Sequence, residues 1–143
     1  MKDLGIAKKR LEQEGLTLSI VKDEQVLFET ASHGIFGFLR AIQELGERLN
    51  GASAADKIVG KAIALLCLYA RIEEVYGSVM SREARKLLEE RKVHVEWEKL
   101  VGNIQGNCKS APCPFEALAA GITDPEVAYK KLKALQDSLK QHR

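Results

Sequence analysis

The 143 residues fit one domain, and 45% apolar with 29% charged residues, only three prolines and no low-complexity tract exclude a disordered or fibrous chain. Lysine and arginine total 22 against 20 aspartates and glutamates, a net charge of +2, which excludes general affinity for nucleic acid or anionic membrane and confines any anion site to a local patch. The longest uncharged apolar run, Ala62 to Ala70, is far shorter than the ~20 residues of a membrane-spanning helix, so no membrane association is expected.

Met1 to Arg10 interleaves charged and apolar residues without a signal-peptide core. Cys67, Cys108 and Cys113 are an odd, sparse set without CxxC spacing, which suits a reducing compartment, and a cytoplasmic location is expected. Leu4, Ala7 and Leu11 predict a first helix over residues 3–14, stopped at Gly15. Leu16 to Val21 alternates at period two and Val26 to Thr30 follows a polar stretch, which predicts a β-hairpin. Ile35, Phe38, Leu39, Ile42, Leu45 and Leu49 recur at helical spacing, and Asn50-Gly51 ends that helix.

Ser53-Ala54-Ala55-Asp56 reads as a capping box opening a helix that runs to about Tyr69, polar in its first turns and apolar all round beyond them. Val75 to Met80 predicts a strand. Ser81 caps a helix over Arg82 to Arg91, and Val93, Val95 and Trp97 alternate as a further strand. After a loop from Val101 to Pro112, Pro114 and Pro125 each open a helix, the last with Ala128, Leu132, Leu135 and Leu139 on one side. Tyr69, Tyr76 and Trp97 read as packing residues and Cys67 as inert core. A mixed sheet sandwiched by helices, in one domain over residues 1–143, accommodates this order.

The hairpin, the central helix start ADKIVGKAIALL and the later Pro112-Cys113-Pro114-Phe115-Glu116 resemble the cytidine-deaminase-like fold. More narrowly, residues 16–135 resemble an uncharacterised bacterial and archaeal family of domains of unknown function that shares it. The resemblance implies an α/β fold, a three-layer αβα sandwich with a mixed sheet opened by a β-hairpin. Zinc deaminases carry H-x-E at one helix start and P-C-x-x-C at another. Position by position, Pro112 and Cys113 match the second motif, Glu116 stands in place of its second cysteine, and Asp56-Lys57 occupies the region of the first. A lysine beside the metal position and one thiolate with two carboxylates make an unusual zinc set, so no metal is expected.

Two helix starts then define the candidate site. Asp56, Lys57, Gly60 and Lys61 offer an anion site for a nucleotide or other phosphorylated small molecule at the start of the central helix, which His33 from the post-hairpin loop would join. Equally, Asp56 caps, Gly60 packs and the lysines are solvated. Cys113 with Glu116 offers thiol chemistry at a helix N-terminus; equally, Cys113 is a small packed residue and Glu116 complements its own helix dipole. Ligand binding leads, with a thiol-dependent enzyme and a ligand-free regulatory or scaffold domain as rivals; oligomeric state is left open.

Overall fold

A computed structural model describes residues 2–32, 34–102 and 113–141. Helix α1 (Lys2–Gln13) precedes the hairpin β1 (Leu18–Lys22) and β2 (Gln25–Thr30). Then come α2 (Gly34–Leu45), a 3-10 turn (Gly46–Leu49), β3 (Ser53–Val59), α3 (Lys61–Tyr69), β4 (Glu74–Ser81), α4 (Arg82–Glu90), β5 (His94–Val101), α5 (Pro114–Ala119) and α6 (Pro125–Gln141). The five strands form one mixed sheet in the order β2-β1-β3-β4-β5. Strand β1 is antiparallel to β2 and β3, whereas β3, β4 and β5 run parallel.

The two-residue hairpin turn puts Asp23 and Glu24 in the left-handed region, at φ of 51° and 66°. Non-glycine residues are disfavoured there. The Asp3 carboxylate at the start of α1 compensates by accepting hydrogen bonds from both turn amides, at 3.0 and 2.8 Å. Helix α1 thereby registers on one sheet face, where Leu4, Ala7 and Leu11 bury against Val21, Ala55 and Tyr76.

The opposite face carries the larger core, in which α2, α3 and α4 lie on the sheet with α5 and α6 added outside. Helix α3 is buried from Lys61 through Cys67, because the sheet lies beneath it and α6 above, where Tyr69 stacks on Tyr129 at 4.5 Å. The α/β sandwich with a mixed sheet opened by a hairpin is the architecture read from the sequence.

One expected element is corrected. The helix expected from Ser53 to Tyr69 is two elements, strand β3 and helix α3, joined at Gly60. Strand β3 occupies the sheet centre and is covered on both faces, so Ser53 to Asp56 are all buried and show no alternation. A short buried stretch without alternation, such as Ser53 to Asp56, cannot be told from a buried helix by periodicity. The capping-box residues do other work: Ser53 Oγ hydrogen-bonds Glu74 across the β3–β4 pair at 2.6 Å, and Asp56 accepts from Ile58 N at 3.1 Å. Trp97 also departs from its expected role as a packing residue. It lies 37% exposed on edge strand β5, with the Arg85 guanidinium 5.4 Å over its ring.

Gly77 lies opposite Asp56 in the β3–β4 register. A Cβ there would stand 2.9 Å from Val59 Cγ2 and 3.1 Å from the Val79 carbonyl oxygen, so part of the obstacle is backbone. Gly77→Ala should therefore destabilise the fold by about 1–3 kcal/mol, read as a lower urea midpoint with unchanged m-value.

Candidate functional site

The parallel strands β3 and β4 deliver the heads of α3 and α4 to the carboxyl edge of the sheet, and α5 is bound to the same edge. Gly60, extended at φ −101°, ψ −173°, is the N-cap of α3 and offers no side chain to the free amides behind it. Those amides find their acceptor in another helix. Glu116 of α5 takes Lys61 N on Oε2 and Ala62 N on Oε1, both at 3.1 Å. In return, the ammonium of Lys61 donates to the carbonyl of Ala120, the C-cap of α5, at 2.9 Å.

These three bonds form a clamp between α3 and α5 that uses both ends of the shorter helix. Burial pushes the Glu116 carboxyl above its ordinary pKa, opposed by the two amides and by Lys61, while Glu83 pushes it further up. Glu83 stands in the first turn of α4, whose head is closed by Ser81 Oγ accepting from Ala84 N at 3.1 Å. Helix α5 begins with Pro114 after Cys113, a half-buried N-cap whose thiol makes no capping bond and packs against the core.

Asp56 lies within β3, not at a helix start, and is 2% exposed. Its Oδ1 accepts from Ile58 N, whereas Oδ2 has no partner. Burial is the dominant cause of a pKa pushed up to about 8, so the group is mostly protonated at neutral pH; the Ile58 and Lys57 amides act in the other direction. The thiol of Cys67 is pushed up by its own burial and by Asp56. Lys57 is an exposed strand residue whose amide donates to Thr17 O at 3.0 Å.

The structure thus joins Gly60, Lys61, Glu116 and Cys113 at one edge, places Asp56 in the core below and Lys57 at the surface. His33 lies outside the described residues, as do Cys108 and Pro112. The clamp itself was not anticipated, because it joins residues more than fifty positions apart. Its available signal was Val59-Gly60-Lys61, a strand end followed by a residue without a capping side chain.

The zinc implied by the deaminase resemblance does not fit this donor set. At the head of α3 stand Gly60, Lys61 and Ala62, none a ligand, and both Glu116 oxygens are committed to amides. Among the described residues no group of three or more His, Cys, Asp or Glu side chains is arranged to hold a metal ion.

Residues 6–136 match the family described as TM1506, domain of unknown function DUF1893. The chain belongs to this family. A DUF1893 family protein (TM1506) from Thermotoga maritima, solved in the crystal, superposes with a TM-score of 0.84 at 26% identity, over 93% of this chain and 89% of that one. At greater distance stand the apo dCMP deaminase of cyanophage S-TIM5 and Acinetobacter baumannii RibD. The first has a TM-score of 0.48 and 13% identity over 67% of this chain and 94% of that chain. The second has a TM-score of 0.46 and 19% identity over 83% of this chain and 35% of that chain. No curated protein matches the sequence.

Two expectations follow for this DUF1893 chain. The folded pKa of Asp56, about 8, exceeds its ordinary value of 3.8. Stability gained by keeping it protonated is therefore complete below the unfolded pKa and lost as pH rises through the folded one. Asp56→Asn should gain on the parent from pH ~4.5 to ~8, by up to ~1.4 kcal/mol per pH unit, and level off above that. Urea titrations across pH check this, and a pH-independent gap would contradict it. For the thiols, half-buried Cys113 should alkylate well before the fully buried Cys67, which should react only on unfolding; peptide-resolved mass spectrometry reads both.

Proposed function

We propose that this DUF1893 domain binds a small anionic molecule, of the nucleotide or other phosphorylated class, at the carboxyl edge of β3 and β4. The observation that carries the reading is the head of α3, where two backbone amides already hold an anion supplied by the protein itself, the Glu116 carboxylate. An incoming phosphate would displace Glu116 and take over these amides, with Lys61 turning from Ala120 to meet it and Gly60 adding no side chain in the way. Arg82, exposed at the start of α4, adds a second cation on the same edge. Ligands of open α/β sheets favour this position, outside the carboxyl ends of the strands. Lys57 stands ready on the exposed end of β3 as an outer contact.

A thiol-dependent reaction at Cys113 is the second reading, favoured by a half-buried thiol with no capping bond on the helix that carries Glu116. No helix among the described residues is long and apolar enough to cross a membrane. Free Cys67 and Cys113 suit the reducing cytoplasm in which we place the protein.

A nucleotide panel followed by thermal melting tests the leading reading, since a ligand that binds only the folded state raises the melting temperature by mass action. At least one nucleotide should raise it, and the rise should be lost in Lys61→Gln, reduced in Arg82→Ala and little changed in Lys57→Ala. A panel without any shift would overturn ligand binding of this class. A shift that survives Lys61→Gln would move the site away from the head of α3.

A further inference from the structure

Helices α2 and α6 part along their outer sides to leave a groove of about 220 Å3, lined among others by Phe36, Arg40, Gln43, Gln136, Leu139 and Lys140. None of its lining residues is acidic, and two are cations. Arg40 is held in place from two sides: its Nε donates to Glu44 Oε2 at 2.7 Å, and its guanidinium lies 5.5 Å over the Phe28 ring. That leaves the terminal guanidinium nitrogens without a hydrogen bond among the described residues. Because Glu44 already neutralises Arg40 in part, Lys140 contributes the net positive charge of the groove.

Gln136 supplies an independent observation. It is 7% exposed and lines the groove, yet its side-chain amide makes no hydrogen bond among the described residues. The amide lies on the groove wall, where it offers a donor and an acceptor to a molecule seated there. The apolar walls are Phe36, whose ring is braced edge-on against Phe115 at 5.5 Å, and Leu139, which is 38% exposed.

We infer that this groove binds a short organic acid, with its carboxylate on Arg40 and Lys140, its aryl or alkyl body between Phe36 and Leu139, and a polar atom on Gln136. The planar carboxylate matches the free edge of the guanidinium, which a point charge such as Lys cannot reproduce. The volume lies below the ~300–1,000 Å3 of pockets for drug-sized ligands, so the body is short. This site is separate from the head of α3, and its lining includes neither Lys61 nor Glu116.

The test uses 3-phenylpropionate as probe, titrated into the full chain and followed by NMR chemical shifts, with acetate and 3-phenylpropionamide as controls. Saturable one-to-one binding of the probe is expected, with both controls at least roughly tenfold weaker. Arg40→Lys, which keeps the charge and loses the fork, and Gln136→Leu, checked for an intact cooperative melt, should each weaken it similarly. Lys61→Gln should leave it unchanged, so that failure of this site and failure at the head of α3 are told apart. Absence of saturation, equal binding of the amide, or indifference to Arg40→Lys would each overturn the inference.

Discussion

Helix α3 has almost no solvent face, and that constraint organises the rest of the molecule. A helix lying on a sheet normally turns one side to water, where its first amides find partners. Here α5 and α6 cover that side, so the amides at its head require an acceptor from within the protein. Glu116 meets the requirement, and its price is a half-desolvated carboxylate with a raised pKa. Lys61, drawn into the same covered region, discharges its own burial on the carbonyl of Ala120. Two charged side chains that would each be costly alone thus become tolerable together, because each serves a backbone group the other helix leaves open.

The same covering explains Asp56. Beneath α3 the Asp56 carboxyl is cut off from bulk solvent, and only one of its oxygens finds an amide. The group stays in the fold by holding its proton. The carboxyl edge therefore combines a clamp between helices with a neutral acid in the core below it. A carboxylate that receives two hydrogen bonds joins the starts of α3 and α5.

Much of this architecture was legible in the sequence because most elements are half-exposed. Helix α1, the hairpin, α4, β5 and the two proline-opened helices each keep one polar side, so the period of their apolar residues reveals their type. Strand β3 was not legible for the opposite reason: with Ala54 and Ala55 buried on opposite faces, its sequence has no side to alternate with. The candidate site was legible as a set of residues and not as an arrangement. Glu116 read as the complement of its own helix, whereas its partners are the amides of α3, a relation that no local spacing encodes.

Among the described residues strand β5 is the last of the sheet, and its sequence carries His94, Glu96, Trp97, Glu98 and Lys99 along that margin. Another strand adding there would have to strip water from these charged groups and, in several registers, set carboxylate against carboxylate. The boundary of the sheet is thus written in solvation energy. A concentrated solution of this protein has a built-in barrier against growing ribbons from its own edge, even with an aromatic ring exposed in the middle of it.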